Sequence, residues 1–454
     1  MLIALVFGFV GSCARSPAGS TAPSDDSGAP DTAVASPLVQ LSTLGVQNVV
    51  IVEVDTLRAD RLPMYGGARP TMPGVSTGFL GMGEHYAATS WTNPSVISLL
   101  TALDAHEHHV LTVTSNPSDV TRTDAPMVQE LIRNAGVQVA LFNGNATLNQ
   151  CNAGEGWDRF ETVDVAPGNG VVVAQQAFRW LDIADPKRPF VMHLRPHDTH
   201  RPWAPMEEDR GAFVDPAALP FSYDDTDEVQ EAAVAAVLQG GDTSAADTLK
   251  EAVSLVYDEE ILGLDRTLSL VNDELELRGL TQSTLVVLTA DHGETIYDRG
   301  DQYAHGYALT DELVRVPLVF FHPGLAGETV YECPTQSWDL YPTLLELLGL
   351  PPMTGVQGES VLHTCRTSVR ASLYKRTEEE RLSQLMVRVG EHKAVADCES
   401  GERRCHDVVA DPEELALVDC ADLPYEHALV LLEAYSAEVE AAGPYRCAAF
   451  PISD

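Results

Sequence analysis

The run Asn48-Val-Val-Ile-Val-Glu-Val-Asp55 constrains the fold more than any other segment. Its β-branched residues follow one another without alternation. Such a strand is buried on both faces, which happens in parallel sheets sandwiched between helices. Comparable runs lie at Val137–Phe142, Pro189–Leu194, Thr284–Thr289 and Val316–Phe321. Helical patterns alternate with them at Ser95–Leu103, Ala125–Ala135, Val171–Ile183, Leu249–Arg278 and Trp338–Leu348. This alternation predicts an α/β fold with a mostly parallel central sheet and helices on both faces. After about residue 355 the pattern changes to short strands, Met386–Val389 and Lys393–Ala396, and a last helix near Tyr425–Ala442. That region reads as a smaller C-terminal α+β subdomain. The expected order is therefore a catalytic-type domain over 47–355 and the smaller unit over 356–454.

Ahead of the first strand, Leu2–Val10 is an apolar run followed by Gly11-Ser12-Cys13. The run is too short to span a bilayer and reads as a secretory signal core. Val10-Gly-Ser-Cys13 resembles a bacterial lipobox, in which the cysteine becomes lipid-modified, although no Lys or Arg precedes the apolar run. A plain secretion signal is the alternative. Residues 14–46 are rich in Ser, Ala, Gly, Pro, Thr and Asp and are expected to form a tether, with order beginning near Val46. Export and lipid anchoring in the cell envelope follow as expectations.

Export makes disulfides plausible. Cys398–Cys405 is the first expected bridge, since these residues flank a hairpin-like segment. Cys420–Cys447 and Cys333–Cys365 come next, which leaves Cys151 free.

Acidic residues number 67 against 28 basic ones, a formal net charge of −39. A field of that sign repels nucleic acid and anionic membrane surfaces. It also disfavours anionic substrates unless the site carries its own positive charge. Membrane contact is expected only through the lipid anchor. Nothing in the sequence sets an oligomeric state.

Asp55 ends the first strand, and Asp291-His292 follows the strand Thr284–Thr289. In a parallel sheet both arrive at the same carboxyl edge, where ligands bind. Two carboxylates and an imidazole there suit one divalent cation. Taken singly, Asp55 could be a helix cap and Asp291-His-Gly-Glu294 a turn; their joint occurrence favours the metal.

In Trp91-Thr-Asn-Pro-Ser95, Pro94 fits the first turn of a helix, and Thr92 or Asn93 would cap it. The helix N-terminus suits a tetrahedral oxyanion, and a metal-bound hydroxyl there becomes a nucleophile. On this segment alone, a capping role for Thr92 is the stronger reading. His106 and His108 follow that helix. His193, His197 and His200 lie just past another strand, and His305 sits in a loop after Asp291. Grouped at strand ends, such rings can bind oxyanions or protonate a leaving group.

Five segments appear in order: Asn48–Asp60, Trp91–Thr101, Asp198–Pro202, Thr289–Glu294 and His305–Pro317. Together with Trp338–Gly349 and Gly355–Ser360, they resemble the sulfatase family of the alkaline-phosphatase superfamily, over about residues 47–415. The resemblance implies an alkaline-phosphatase-like fold and a metal-dependent hydrolase of sulfuric or phosphoric esters. It implies Asp55, Asp291 and His292 as metal ligands, with Thr92 as nucleophile and a further ligand. Calcium is the implied ion, with manganese or zinc as alternatives. His106, His108 and Asn93 would touch substrate; His200 and His305 would act on the leaving or transferred group.

The sequence departs from the family pattern at three places. Sulfatases carry Cys or Ser at the nucleophile, converted to formylglycine within Cys/Ser-x-Pro-x-Arg; here the corresponding residues are Thr92 and Val96. The first acid of the family's Asp-Asp pair is Val54; Glu53, two residues before Asp55 on the same strand face, is expected to compensate in part or to be a buried acid paired elsewhere. Relatives with Thr transfer phosphoryl groups through phosphothreonine. The favoured expectation is phosphodiester or phosphonate cleavage or transfer by Thr92, on a small-molecule or a glycan- or lipid-derived ester. The alternatives are a true sulfuric ester hydrolase, a two-metal phosphodiesterase, and a decayed, lipid-anchored binding protein. The acidic segment 207–248 is expected to lie over the site.

Overall fold

In the computed structural model, the described residues are 37–75, 78–111, 123–163, 170–363, 365–375 and 381–450. The signal and lipobox readings and most of the tether reading lie outside them. In chain order the elements begin with α1 (Pro37–Ser42), β1 (Asn48–Val54), β2 (Phe79–Tyr86), α2 (Thr92–Thr101), α3 (Ala105–His108) and α4 (Val128–Asn134). Next come β3 (Gln138–Asn143), β4 (Arg159–Thr162), α5 (Gly170–Leu181), β5 (Phe190–Arg195), α6 (Asp227–Leu238) and α7 (Thr243–Leu277). Then follow β6 (Thr284–Ala290), β7 (Thr295–Ile296), β8 (Tyr303–Ala304), α8 (Asp311–Val314), β9 (Leu318–Phe321), β10 (Glu328–Gln336) and α9 (Leu340–Leu347). The C-terminal part holds β11 (Val369–Tyr374), β12 (Leu382–Val389), β13 (His392–Asp397), β14 (Arg403–Asp407) and α10 (Glu426–Ala442).

The large sheet has eight strands in the order β10-β2-β9-β6-β1-β5-β3-β4. β4, β3, β5, β1 and β6 run parallel to one another, and β9 is antiparallel to both β6 and β2. The expected strand at Val316–Phe321 thus exists but runs against the others. β1 is buried on both faces, as its composition predicts. Val50, Val52 and Val54 enter a core with Val173 and Phe178 of α5 and Val253 and Ile261 of α7. Val49 and Ile51 enter a second core with Leu99 of α2, Ile132 of α4 and Leu344 of α9. β2 was not legible in sequence, because Gly81 and Gly83 weaken its strand pattern.

Order begins before Val46. Helix α1 buries Leu38 and Leu41 in the second core, so residues 37–42 are not tether. These two leucines are spaced three apart on one helical face, which suffices to dock a short helix.

The C-terminal strands form an antiparallel sheet, β11-β12-β13-β14. One face packs Leu385, Val387 and Ala396 on Leu432, Tyr435 and Val439 of α10. The other packs Val369, Leu373 and Met386 on Tyr86, Leu309 and Trp91, so this sheet supports the residue next to Thr92.

Cys333–Cys365 is bridged. Two expected bridges are replaced by Cys398–Cys447 and Cys405–Cys420. Strand register is the reason. Cys405 lies opposite Ala394, not Cys398, and its bridge to Val418 brings Cys420 within reach. Cys151 is free and buried.

Candidate active site

Adjacent parallel strands deliver the polar residues to one edge. The register pairs Val54 with Ala290, so Asp55 and Asp291 leave β1 and β6 side by side. On the other side of β1, Val52 pairs with Leu194, which carries Arg195 and then His197 to the same edge. β3 pairs Asn143 with Arg195, and Asn145 follows.

Asp55, Asp291 and His292 are fully buried and place their ligand atoms within 4.8 Å of one another. Nδ1 of His292 is 2.9 Å from the Gly293 carbonyl, which assigns the ring proton to Nδ1. Nε2 is therefore a lone pair. It lies 3.7 Å from Asp55 Oδ1, 3.8 Å from Asp291 Oδ2 and 3.3 Å from Thr92 Oγ1. Gly293 is required here because a Cβ would collide with the Glu312 carbonyl.

Thr92 is not the helix cap. α2 starts at Thr92, Trp91 occupies the cap position in extended backbone, and no side chain caps the helix. The Thr92 hydroxyl is thereby left for His292. Asn93 is fully buried, and its amide has no hydrogen-bond partner among the described residues. Ser95 Oγ donates to the Asp291 carbonyl and ties the helix start to the β6 turn.

Two residues not singled out in the sequence shape this centre. Arg195 is fully buried, with Nη2 donating to Asp291 Oδ2 at 2.8 Å and Nε 3.6 Å from Glu53 Oε2. Asn145 Nδ2 donates to Asp55 Oδ2. The signal for both was available: each is a polar residue at or just past the carboxyl end of a central strand. Glu53 does not serve as a replacement ligand, since its Oε2 is 2.6 Å from His193 Nε2. Val54 and Val96 point into the two hydrophobic cores.

The charges decide what fits here. Glu53, Asp55 and Asp291 carry three buried carboxylates against the single guanidinium of Arg195. That leaves more buried negative charge than the guanidinium offsets. Burial and the neighbouring Asp55 push Asp291 up, while His200, His197, His292 and Arg195 hold Asp55 low despite its own burial. Asp55 Oδ1 has no hydrogen-bond partner among the described residues. One divalent cation neutralises this centre and satisfies that oxygen, so the donor set fits a metal.

Imidazoles form a rim beside the centre. The His292 and His305 rings are 4.6 Å apart, His305 and His200 5.2 Å, and His200 and His197 4.4 Å and stacked. Glu294 Oε2 accepts from His305 Nδ1 at 3.1 Å, and the Arg201 carbonyl from His200 Nδ1 at 2.6 Å. Burial, together with the His200 charge, lowers His197 to about 3. Asp198 Oδ1 accepts from Gly170 N at 3.1 Å; the second group of ligand atoms within 4.8 Å of one another is Asp55, His197 and His200, not Asp198, His200 and His305.

His106 and His108 are not brought into this group by their contacts. His108 Nε2 is 2.9 Å from Ser98 Oγ, and its Nδ1 accepts from Val110 N. His106 lies 3.3 Å from Asp104 and 3.4 Å from Glu438 of α10. Both rings are engaged within the protein, which leaves the substrate contact implied for them without support.

The acidic segment 207–248 includes α6 and the first turn of α7. Buried side chains pin it: Glu259 accepts from Phe213 N and Val214 N, and Gln230 bonds both backbone groups of Trp203.

A family model described as Sulfatase matches residues 47–350. Mouse arylsulfatase K is 29% identical over 150 residues, covering 30% of this chain and 27% of its own length. An ulvan-active sulfatase of Formosa agariphila is 30% identical over 108 residues, covering 23% and 21%. The matched parts thus span about a quarter of these relatives. Among solved structures, the phosphonate monoester hydrolase of Agrobacterium radiobacter superposes with a TM-score of 0.66 at 19% identity, covering 87% of this chain and 95% of that one. A structure solved in complex with its substrate D-glucosamine-2-N,6-O-disulfate gives 0.68 at 17%, covering 88% and 99%.

Proposed function

This chain belongs to the sulfatase family, and we propose that it hydrolyses phosphate diesters or phosphonate monoesters with Thr92 as nucleophile. The observation that carries this reading is the Thr92 hydroxyl. It is free of capping duty and lies 3.3 Å from His292 Nε2, beside the unpartnered Asp55 oxygen. A threonine does not yield the formylglycine of sulfatases, so its chemistry is that of an alcohol. The likeness to phosphonate monoester hydrolases is one of fold and is compatible with it.

Asp55, Asp291 and His292 would hold one divalent cation, with Thr92 beside it. When bound, the ion supplies positive charge to the substrate oxygens and lowers the pKa of the Thr92 hydroxyl. Asn145 fixes Asp55 through Oδ2 and leaves Oδ1 for the ion. Arg195 fixes Asp291 and offsets one carboxylate. The first turn of α2 aims unpaired N–H groups at the transferred group. Thr92 Oγ1 attacks phosphorus, the bond to the leaving oxygen breaks, and that oxygen takes a proton from the rim. His305, oriented by Glu294, and His200, oriented by the Arg201 carbonyl, are the acids assigned to this transfer. Water then attacks phosphorus, the bond from phosphorus to Thr92 Oγ1 breaks, and Oγ1 takes up a proton as the phosphate or phosphonate leaves.

The test is turnover of matched aryl phosphate, phosphodiester, phosphonate and sulfate esters with Ca²⁺, Mn²⁺ or Zn²⁺. Activity on phosphorus esters that disappears in Thr92→Ala supports the reading. Equal activity in Thr92→Ala removes the nucleophile assignment, a preference for sulfate esters identifies a sulfuric ester hydrolase, and no turnover on any ester favours a binding protein.

We also infer an exported, lipid-anchored location. The Val10-Gly-Ser-Cys13 motif and the bridges Cys333–Cys365, Cys398–Cys447 and Cys405–Cys420 support it. Labelling of wild type but not Cys13→Ala by a fatty acid probe checks the anchor.

A further inference from the structure

Beyond the imidazole rim stands a guanidinium held only by two long ion pairs and the Tyr303 ring. Arg201 follows His200 directly, and its side chain is 23% exposed. Among the described residues it makes no side-chain hydrogen bond. Its nearest acids, Asp227 and Glu231 of α6, lie 3.7 and 3.6 Å away, at ion-pair distance but beyond hydrogen bonding. Other cations nearby are engaged: Arg58 with Asp60 and Asp298, Lys250 with Asp301, and Arg299 with Glu312.

An aromatic wall accompanies the guanidinium. Arg201 Cζ sits 5.7 Å from the Tyr303 ring centroid, and Tyr297 lies 5.7 Å from Tyr303. Trp203 packs edge-on to Tyr303 at 5.0 Å and stacks on Phe221 at 5.1 Å, which holds the wall rigid. Tyr297 adopts a left-handed φ of 61° at the start of the β7–β8 turn, a conformation unfavourable for a bulky residue. Glu294 and Tyr297 both feel the Arg201 charge. The spatial order is thus Thr92, His292, His305, His200 and then Arg201. Arg201 thus adjoins His200, one of the rings assigned above to the leaving oxygen.

We propose that Arg201 and the Tyr297–Tyr303 wall form a leaving-group subsite that selects esters whose leaving alcohol carries an anionic substituent next to a ring. The subsite rests on the reading of the site given above. It also answers the charge problem: a second negative charge on the substrate must otherwise approach a protein of net charge −39. Planar guanidinium donors suit a carboxylate or a second phosphoryl or sulfuryl group, and the partly exposed Tyr297, backed by the buried Tyr303, suits the ring carrying it.

The test compares two non-hydrolysable phosphonates, benzylphosphonate and 4-carboxybenzylphosphonate, by calorimetric titration of the Mn²⁺-loaded full chain. Wild type is expected to bind the carboxylated probe at least about tenfold more tightly, as a charge-assisted pair allows. Arg201→Gln should abolish that ratio, Arg201→Lys should keep part of it, and Glu231→Gln should increase it. A 4-sulfobenzylphosphonate arm separates carboxylate from sulfonate preference. Thermal melts of each variant show that the fold is intact. A ratio of one in wild type, a ratio unchanged by Arg201→Gln, or no binding of either probe overturns the subsite. Thr92→Ala provides the separation from the catalytic reading. An Arg201-dependent ratio with undiminished turnover in Thr92→Ala keeps the subsite and removes the nucleophile, whereas an Arg201-independent ratio with lost turnover does the reverse.

Discussion

Replacing His106 with Gln separates two roles for one buried ring. The family resemblance implies a substrate contact, whereas the structure ties His106 to the C-terminal helix. Its Nδ1 is 3.3 Å from Asp104 Oδ1 and its Nε2 3.4 Å from Glu438 Oε1. Arg370 joins the same network, 3.1 Å from Asp104 and 2.8 Å from Glu438. Burial opposes a charge on His106, yet Asp104 and Glu438 raise it from 6.5 to about 9. Glu438 is in turn drawn down to about 2, chiefly by its bond to His106. A raised folded-state pKa means that the folded protein binds the proton more tightly. The stability it contributes is complete below pH 6.5 and is lost as pH rises through 9. That interval corresponds to about 3 kcal/mol, an upper bound because the Glu438 side chain is 41% exposed and therefore screened. Urea unfolding at pH 6 and again at pH 9.5 reads the effect. Wild type should lose up to about 3 kcal/mol more than His106→Gln across that range. Parallel curves for the two proteins would refute the reasoning. A raised KM in His106→Gln without any change in pH slope would return the ring to substrate.

Three further outcomes follow from the geometry. Glu294→Gln removes the carboxylate that orients His305, and kcat should fall about a hundredfold with little change in KM; an unchanged kcat excludes His305 as the proton donor. Asp55→Asn should weaken Mn²⁺ binding by more than about a hundredfold and erase the thermal shift that the ion gives wild type, which calorimetry and melting curves check. Cys405→Ser opens a bridge of sequence separation 15 and should cost about 3 kcal/mol in urea unfolding; an unchanged midpoint shows that the bridge adds nothing.

Much of this protein was determined by sequence alone. The β-branched run at Asn48–Val54 can be satisfied only where both faces are covered, so the parallel sheet and its flanking helices followed from composition. Asp55 and Asp291 were legible because a strand's last residue is fixed to the carboxyl edge of the sheet. Spacing along the chain does not carry the rest. Whether Thr92 caps its helix or faces His292 depended on where α2 begins, which the packing of Trp91 against β11 and β12 decides. His106 and His200 look alike as sequence, but one ring is held by α10 and the other by the imidazole rim. Cysteine pairing depended on strand register, which set Cys405 opposite Ala394 and so away from Cys398. Arg195, Asn145 and the half-buried guanidinium of Arg201 acquired their surroundings only when distant strands and helices met. A side chain's chemistry is local, but its partners are chosen by the tertiary fold.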